Sequence, residues 1–248
     1  MAKYDTIGAT YAQTRMADPR IAAAIQEAIG DTASVVNVGA GTGSYEPPTT
    51  VLAVEPSKVM LSQRSTVAAP AVQALAEALP LRDNAVDVAL AVLTVHHWHD
   101  LARGMAEMKR VARSRIVLFT WRPEMMARFW LLREYLPAAA VTDARVAVPL
   151  DALAAMLPGA SLRVQPVPIP HDCTDGFGAA YWRRPHAYLD PRVRAGISML
   201  ATTDPAELAP GLEQLRSDLQ TQRWHARHAR LVEQESLDVG YCIVIVDL

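Results

Sequence analysis

The chain has 248 residues, 51% hydrophobic and 20% charged, with a formal net charge of -2, enough apolar material for one full α/β core and too little polar bias for extensive disorder. This near-neutral balance lacks the basic surface that phosphate neutralisation needs, so nucleic acid is not an expected partner. Cys173 and Cys242 have no C-x-x-C spacing and fit a reducing compartment better than a disulfide frame or zinc knuckle, and no apolar run reaches the roughly 18 residues of a membrane span; the expectation is a cytoplasmic monomer or homodimer without membrane contact.

Asp18-Pro19 is a helix start signal, and apolar residues recur at helical spacing over 19–29 until Gly30. Residues 34–38 form a β-branched run that stops at a glycine turn, and residues 51–54 a second short strand ending at Glu55. Pro47 and Pro48 limit any helix between them to a turn or two. A helix capped by Ser57 is expected over 57–65, a third strand over 71–74 and a buried fourth strand over 87–92. An amphipathic helix over 101–112 and a fifth strand over 115–121 complete a rhythm that implies a parallel, doubly wound sheet.

Beyond Trp121 the rhythm changes. Helices are expected over 124–136, 149–157, 191–200 and 205–230, a sixth strand over 162–166, and a closing strand over 239–246. The fold class is therefore α/β: a Rossmann-like, seven-stranded, mostly parallel sheet flanked by helices, with a helical lid inserted after strand five and before the last strand. One domain spans 1–248, with a cofactor-binding core over 1–121 and lid segments at about 122–148 and 172–237.

Gly39-Ala40-Gly41-Thr42-Gly43 lies between a buried strand and the following turn, where residues without side chains let backbone approach a ligand. Nicotinamide and flavin sites prefer G-x-G-x-x-G, whereas here the sixth position is Ser44 and the spacing G-x-G-x-G favours S-adenosylmethionine. Glu55, at the end of the second strand, can accept both hydroxyls of a ribose; the alternative is a solvated loop glutamate.

These features resemble a known family. Val36-Asn37-Val38-Gly39-Ala40-Gly41-Thr42-Gly43, Val54-Glu55-Pro56-Ser57, Ala76-Glu77-Ala78-Leu79-Pro80-Leu81 and Val95-His96-His97-Trp98-His99-Asp100 are similar, in order and spacing, to the motifs of type 11, ubiquinone-biosynthesis-like class I methyltransferases. The resemblance covers residues 1 to about 121 and implies S-adenosyl-L-methionine as cofactor. It assigns Gly39, Gly41 and Gly43 to the methionine moiety, Glu55 to the ribose, Ala76 and Glu77 to the adenine region, and the Ala91 carbonyl to the ammonium. Ala40, Pro56, Leu93, Asn37, Tyr11 and Arg15 complete the implied cofactor set, with Tyr4-Asp5, Tyr11 and Arg15 folding over the methionine end. Asn37 departs from the family's usual Asp or Glu and brings an amide oxygen without the charge that strengthens such a bond.

His96 and His97 follow the fourth strand, where open α/β folds present their ligands, and either imidazole can take a proton from a phenol, hydroxyl or acidic carbon. Adjacent histidines on a turn seldom converge on one ion, and with His171-Asp172-Cys173 the only other cluster no metal is expected. His171, Trp182, Arg183 and Arg184 are candidate substrate contacts, the arginines for a carboxylate or phosphate; an exposed helix end carries the same pattern. The expected activity is methyl transfer to an oxygen, nitrogen or carbon of a small-molecule acceptor. The alternatives are a protein that binds S-adenosylmethionine or S-adenosylhomocysteine without transfer, and a nicotinamide-dependent oxidoreductase.

Overall fold

The computed structural model describes residues 15–248. Asp18 caps helix α1 (Pro19–Ile29) by accepting the Arg20 amide at 3.0 Å, and Pro19 occupies the first turn, where no amide partner is required. Ile21, Ile25, Ala28 and Ile29 form its buried face.

Seven strands build the main sheet: β1 (Val35–Val38), β2 (Thr50–Val54), β3 (Ala71–Val72), β4 (Val86–Val92), β5 (Ala112–Trp121), β6 (Ser161–Pro166) and, after the two-stranded ribbon of β7 (Ile169–Pro170) and β8 (Ser236–Leu237), β9 (Tyr241–Asp247). Their order is β3-β2-β1-β4-β5-β9-β6. The first five pair in parallel, and β9 runs antiparallel between β5 and β6. This is the seven-stranded, mostly parallel α/β sheet expected from the sequence. The switch point between β1 and β4 places the ends of those strands beside a crevice, as such sheets do.

Side chains alternate between two cores. Val35, Leu90, Val117, Phe119, Ile243 and Ile245 face one, and Val36, Val38, Ala89, Ile116, Leu118 and Val244 face the other. Each fully buried aliphatic side chain contributes roughly 1.5–3 kcal/mol relative to an exposed one. Helices α2 (Lys58–Ser62), capped by Ser57, and α3 (Leu101–Val111), capped by Asp100, complete the core that follows β2 and β4.

The segments after β5 are more broken than the periodicity implies. The expected helix over 124–136 is α4 (Pro123–Met126) and then a π-helical turn (Leu131–Tyr135), in which Leu136 N–H reaches back to Leu131 O at 2.8 Å. Helices α5 (Pro137–Val146) and α6 (Leu150–Ala155) follow. The helix over 191–200 divides into α7 (Pro191–Ala195) and α8 (Ser198–Ala201) around Gly196. That over 205–230 divides into α9 (Pro205–Gln220), α10 (Arg223–Arg227) and α11 (Ala229–Val232), because Gln222 takes a left-handed turn at φ 59°.

Candidate active site

The glycine turn owes its shape to two constraints. Gly39 stands at φ 70°, and a Cβ there would collide with the Thr94 side chain arriving from the end of β4. The Gly39 and Ala40 amides donate to Val54 O at 2.8 and 3.0 Å, which fastens the turn to the end of β2. Gly41, at φ 54°, donates its N–H to Glu55 Oε2 at 2.8 Å, while Ser57 N–H donates to Oε1 at 2.8 Å. The carboxylate, 5% exposed, is thereby held in one orientation, and each oxygen keeps further accepting capacity.

Beneath the turn lies Asn37. Its Nδ2 donates to Glu46 Oε1 at 3.3 Å, and its Oδ1 is buried with no partner among the described residues. Glu46 is in turn paired with Arg64 at 2.7 Å, and Arg64 reaches Gly41 O at 3.4 Å and Ala69 O at 3.0 Å. A carboxylate thus lies one layer away from Asn37, in Glu46, but it is neutralised by Arg64 and does not line the cavity. Sequence reasoning missed this pair, since only the folded loop brings it under the turn.

A cavity of about 400 Å³ opens above these groups, lined by Arg15, Asn37, Gly39, Ala40, Gly41, Thr42, Ser44, Tyr45, Glu55 and Pro56 on one side. Gln73, Leu75, Ala76, Glu77, Trp98 and His99 form the far wall, with Leu93, Thr94 and His97 at the end of β4. Glu77 fixes that wall by accepting the His99 and Asp100 amides at 2.7 and 3.2 Å. Expectation and structure part at two residues. Ala91 sits within the paired part of β4 opposite Leu118, because the strand continues to Val92 and the chain opens only at Leu93. Gly43 closes the turn instead, its N–H donating to Ala40 O at 2.9 Å, and neither residue lines the cavity.

Leu93 adopts φ 49°, a strained conformation for a branched residue, at the lip of a second cavity of about 40 Å³. Both cavities share Arg15 and Leu93. The two histidines of the 3₁₀ turn (Val95–His97) diverge accordingly: His97 lines the larger cavity, and His96 the smaller, its ring edge-on to Trp121 at 4.6 Å. Trp121, Met126, Asp143, Phe177, Met199 and Tyr241 form much of the remaining wall. Arg15 is bound to Asp175 at 2.6 and 3.3 Å, and Tyr45 OH donates to the same fully buried carboxylate at 2.9 Å. Burial, then the Asp175 charge, pushes the Tyr45 phenol well above its usual range.

The expected substrate contacts lie elsewhere. Trp182 is fully buried and its indole N–H donates to Ile169 O at 2.9 Å. Arg183 donates to Gln234 O at 2.9 Å, Arg184 to Cys173 O at 2.6 Å and Ala180 O at 3.1 Å, and His171 faces Glu235 at 3.3 Å. None lines either cavity: backbone carbonyls occupy donors of Trp182, Arg183 and Arg184, while the Glu235 carboxylate lies beside His171 and 3.8 Å from Arg183. Nor do His171, Asp172 and Cys173 converge: Asp172 pairs with Arg20 at 2.7 Å and Cys173 is buried. Among the described residues no group of three His, Cys, Asp or Glu could hold a metal ion, and no helix is long and apolar enough to cross a membrane. Tyr11, like Tyr4 and Asp5, lies outside the described residues.

The larger cavity suits a nucleoside-bearing cofactor: its size falls within the range of small-molecule sites, its glycines leave backbone open, and Asn37 Oδ1 awaits a donor. Comparison with known proteins agrees. Residues 36–119 match the model of a methyltransferase domain. A putative methyltransferase from an antibiotic biosynthesis pathway of Anabaena variabilis is 34% identical, with 95% of this chain and 100% of that one covered and a TM-score of 0.88. A possible histamine N-methyltransferase from Thermotoga maritima shares the fold at 22% identity, over 66% of this chain and 84% of that one, TM-score 0.53. The uncharacterised protein YafE of Escherichia coli (strain K12) is 41% identical over 39 residues, 16% of this chain and 19% of YafE, so the match spans under a fifth of that relative. These findings set aside the nicotinamide reading, and the chain belongs to the type 11 family of class I methyltransferases, with S-adenosylmethionine as its cofactor.

Proposed function

We propose that this enzyme methylates a small molecule, with the cofactor held in the larger cavity and the acceptor presented from the smaller one. The observation that carries this reading is the junction of the two cavities at Arg15 and Leu93, directly beyond the end of β4. Residues 1–121 then serve as the cofactor-binding core, and 122–148 and 172–237 as the lid that shapes the acceptor side.

Bound S-adenosylmethionine supplies an electrophilic methyl group on a sulfonium. The chain's residues supply binding and alignment. Glu55 accepts the ribose hydroxyls, Ala76 and Glu77 border the adenine, and the Gly39 to Gly41 backbone with Asn37 Oδ1 meets the amino-acid end. Arg15, fixed by Asp175, and Leu93 stand between cofactor and acceptor. Holding the two in line and excluding water accounts for much of the acceleration such a site can give. His96 is the histidine on the acceptor side, its ring edge-on to Trp121, while His97 borders the cofactor.

Calorimetric titration with S-adenosylhomocysteine tests the assignment. The intact chain is expected to bind one equivalent, and Glu55→Gln, which retains one acceptor for the neighbouring amides, to bind about tenfold or more weakly at unchanged fold. Absence of binding by the unmodified chain, or equal binding by the variant, would contradict the assignment.

A further inference from the structure

Asp143 is a carboxylate in the acceptor cavity with no role in the account above. It projects from α5, is 9% exposed, and accepts a hydrogen bond from Trp121 Nε1 at 3.2 Å. Among the described residues no cationic side chain pairs with it. Burial pushes its carboxyl up to about 6, with the Trp121 hydrogen bond opposing. A buried carboxylate without a counter-charge is unfavourable in a folded protein unless a ligand supplies the charge.

The surroundings point to the sign of that ligand. Phe177 and Tyr241 lie with ring centroids 4.6 Å apart, and Trp121 presents its ring beside His96. The thioethers of Met126 and Met199 complete an apolar, polarisable enclosure. Among the described residues the one guanidinium at the cavity, Arg15, is already neutralised by Asp175. Aromatic faces and an uncompensated carboxylate attract a cation, and they penalise an anion, whose charge would meet Asp143 with no free guanidinium or ammonium among the described residues to offset it.

We propose that Asp143 is the recognition carboxylate for a small protonated amine, and that nitrogen is the atom this chain methylates. The proposal rests on the reading of the smaller cavity as the acceptor site. An ammonium docked there cannot act as a nucleophile until it loses a proton. Asp143 is positioned to take it: an N–H bond breaks with its electron pair remaining on nitrogen, an O–H bond forms on the carboxyl, and the amine faces the cofactor cavity neutral. The proton then leaves Asp143 for solvent.

A ligand-observed NMR titration of the intact chain saturated with S-adenosylhomocysteine tests this, with tetramethylammonium as a permanently charged probe and tert-butanol as its neutral counterpart. Tetramethylammonium is expected to bind at least tenfold more tightly than tert-butanol. Asp143→Asn, which keeps the shape and accepts from Trp121, is expected to lose that preference while retaining its affinity for S-adenosylhomocysteine, which shows that the fold persists. Among the described residues the titratable or charged groups sharing the cavity with Asp143 are Arg15, His96 and Tyr241. Probe affinity should rise as pH passes through about 6 and be flat in Asp143→Asn; a step that survives in the variant belongs to another group and overturns the assignment. Equal binding of the two probes, or an Asp143→Asn variant that binds tetramethylammonium undiminished, overturns the amine proposal alone. Failure of the unmodified chain to bind S-adenosylhomocysteine overturns the cofactor reading, and the proposal with it.

Discussion

Asp143 illustrates what a single residue can cost and signal. Its folded pKa of about 6 lies above the ordinary 3.8, so between those values the folded chain holds a proton that the unfolded chain has released. Stability from this group is therefore fully present below pH 4 and falls as pH rises through 6, by ~3 kcal/mol in order of magnitude. Asp143→Asn should be more stable than the parent at pH 7.5 and nearly equal to it at pH 4, as read from denaturant midpoints at both values. An equal difference at the two pH values would show that the carboxylate is not destabilising. Such a group was not legible in the sequence, since Trp121, Phe177 and Tyr241 meet it only through long-range packing. Glu55 was legible, because the end of the second strand fixes its place. Asn37 was half legible: the missing carboxylate could be read, but not its neighbour Glu46, which the folded loop brings to 3.3 Å.

At the scale of elements, the glycine turn and the end of β4 form one unit. Gly39 cannot carry a side chain because its backbone is left-handed and Thr94 fills the space. Gly39→Ala is expected to destabilise by about 2–4 kcal/mol, the left-handed penalty plus overpacking. Adding Thr94→Ala should recover the overpacking share only, which thermal melts of the single and double variants would reveal; full recovery would mean that backbone strain contributes nothing. Strong strand runs and capped helices were readable here because periodicity and start signals agree, as at Asp18 and Ser57. The helices after β5 were less so. Apolar periodicity continues across Gly196 and Gln222, but backbone geometry does not. Adjacency of Arg183 and Arg184 to aromatics in sequence suggested a binding cluster, whereas backbone carbonyls take both guanidinium groups, that of Gln234 for Arg183 and that of Cys173 for Arg184.

Across the whole molecule, the crossing from β1 to β4 opens the crevice, and the segments after β5 return over it through Asp143, Phe177, Met199 and Tyr241. The two contributions differ in how they are written in the sequence. Apart from Arg15, the larger cavity is lined from residues 37–99, around a turn and two strand ends, so spacing exposes it. The smaller cavity gathers residues from positions 15 to 241, and no spacing records that convergence. Two further bonds clamp the halves together: Asp18 accepts the Thr174 amide at 3.1 Å, and Arg15 grips Asp175. The central claim, that one cavity holds the cofactor and the adjoining one receives the acceptor, is tested most directly by a crystal structure with S-adenosylhomocysteine bound. Its ribose is expected on Glu55, its adenine beside Ala76 and Glu77, and its sulfur toward Leu93 and the cavity of His96 and Asp143. Ligand density elsewhere, or a sulfur turned away from that cavity, would contradict it.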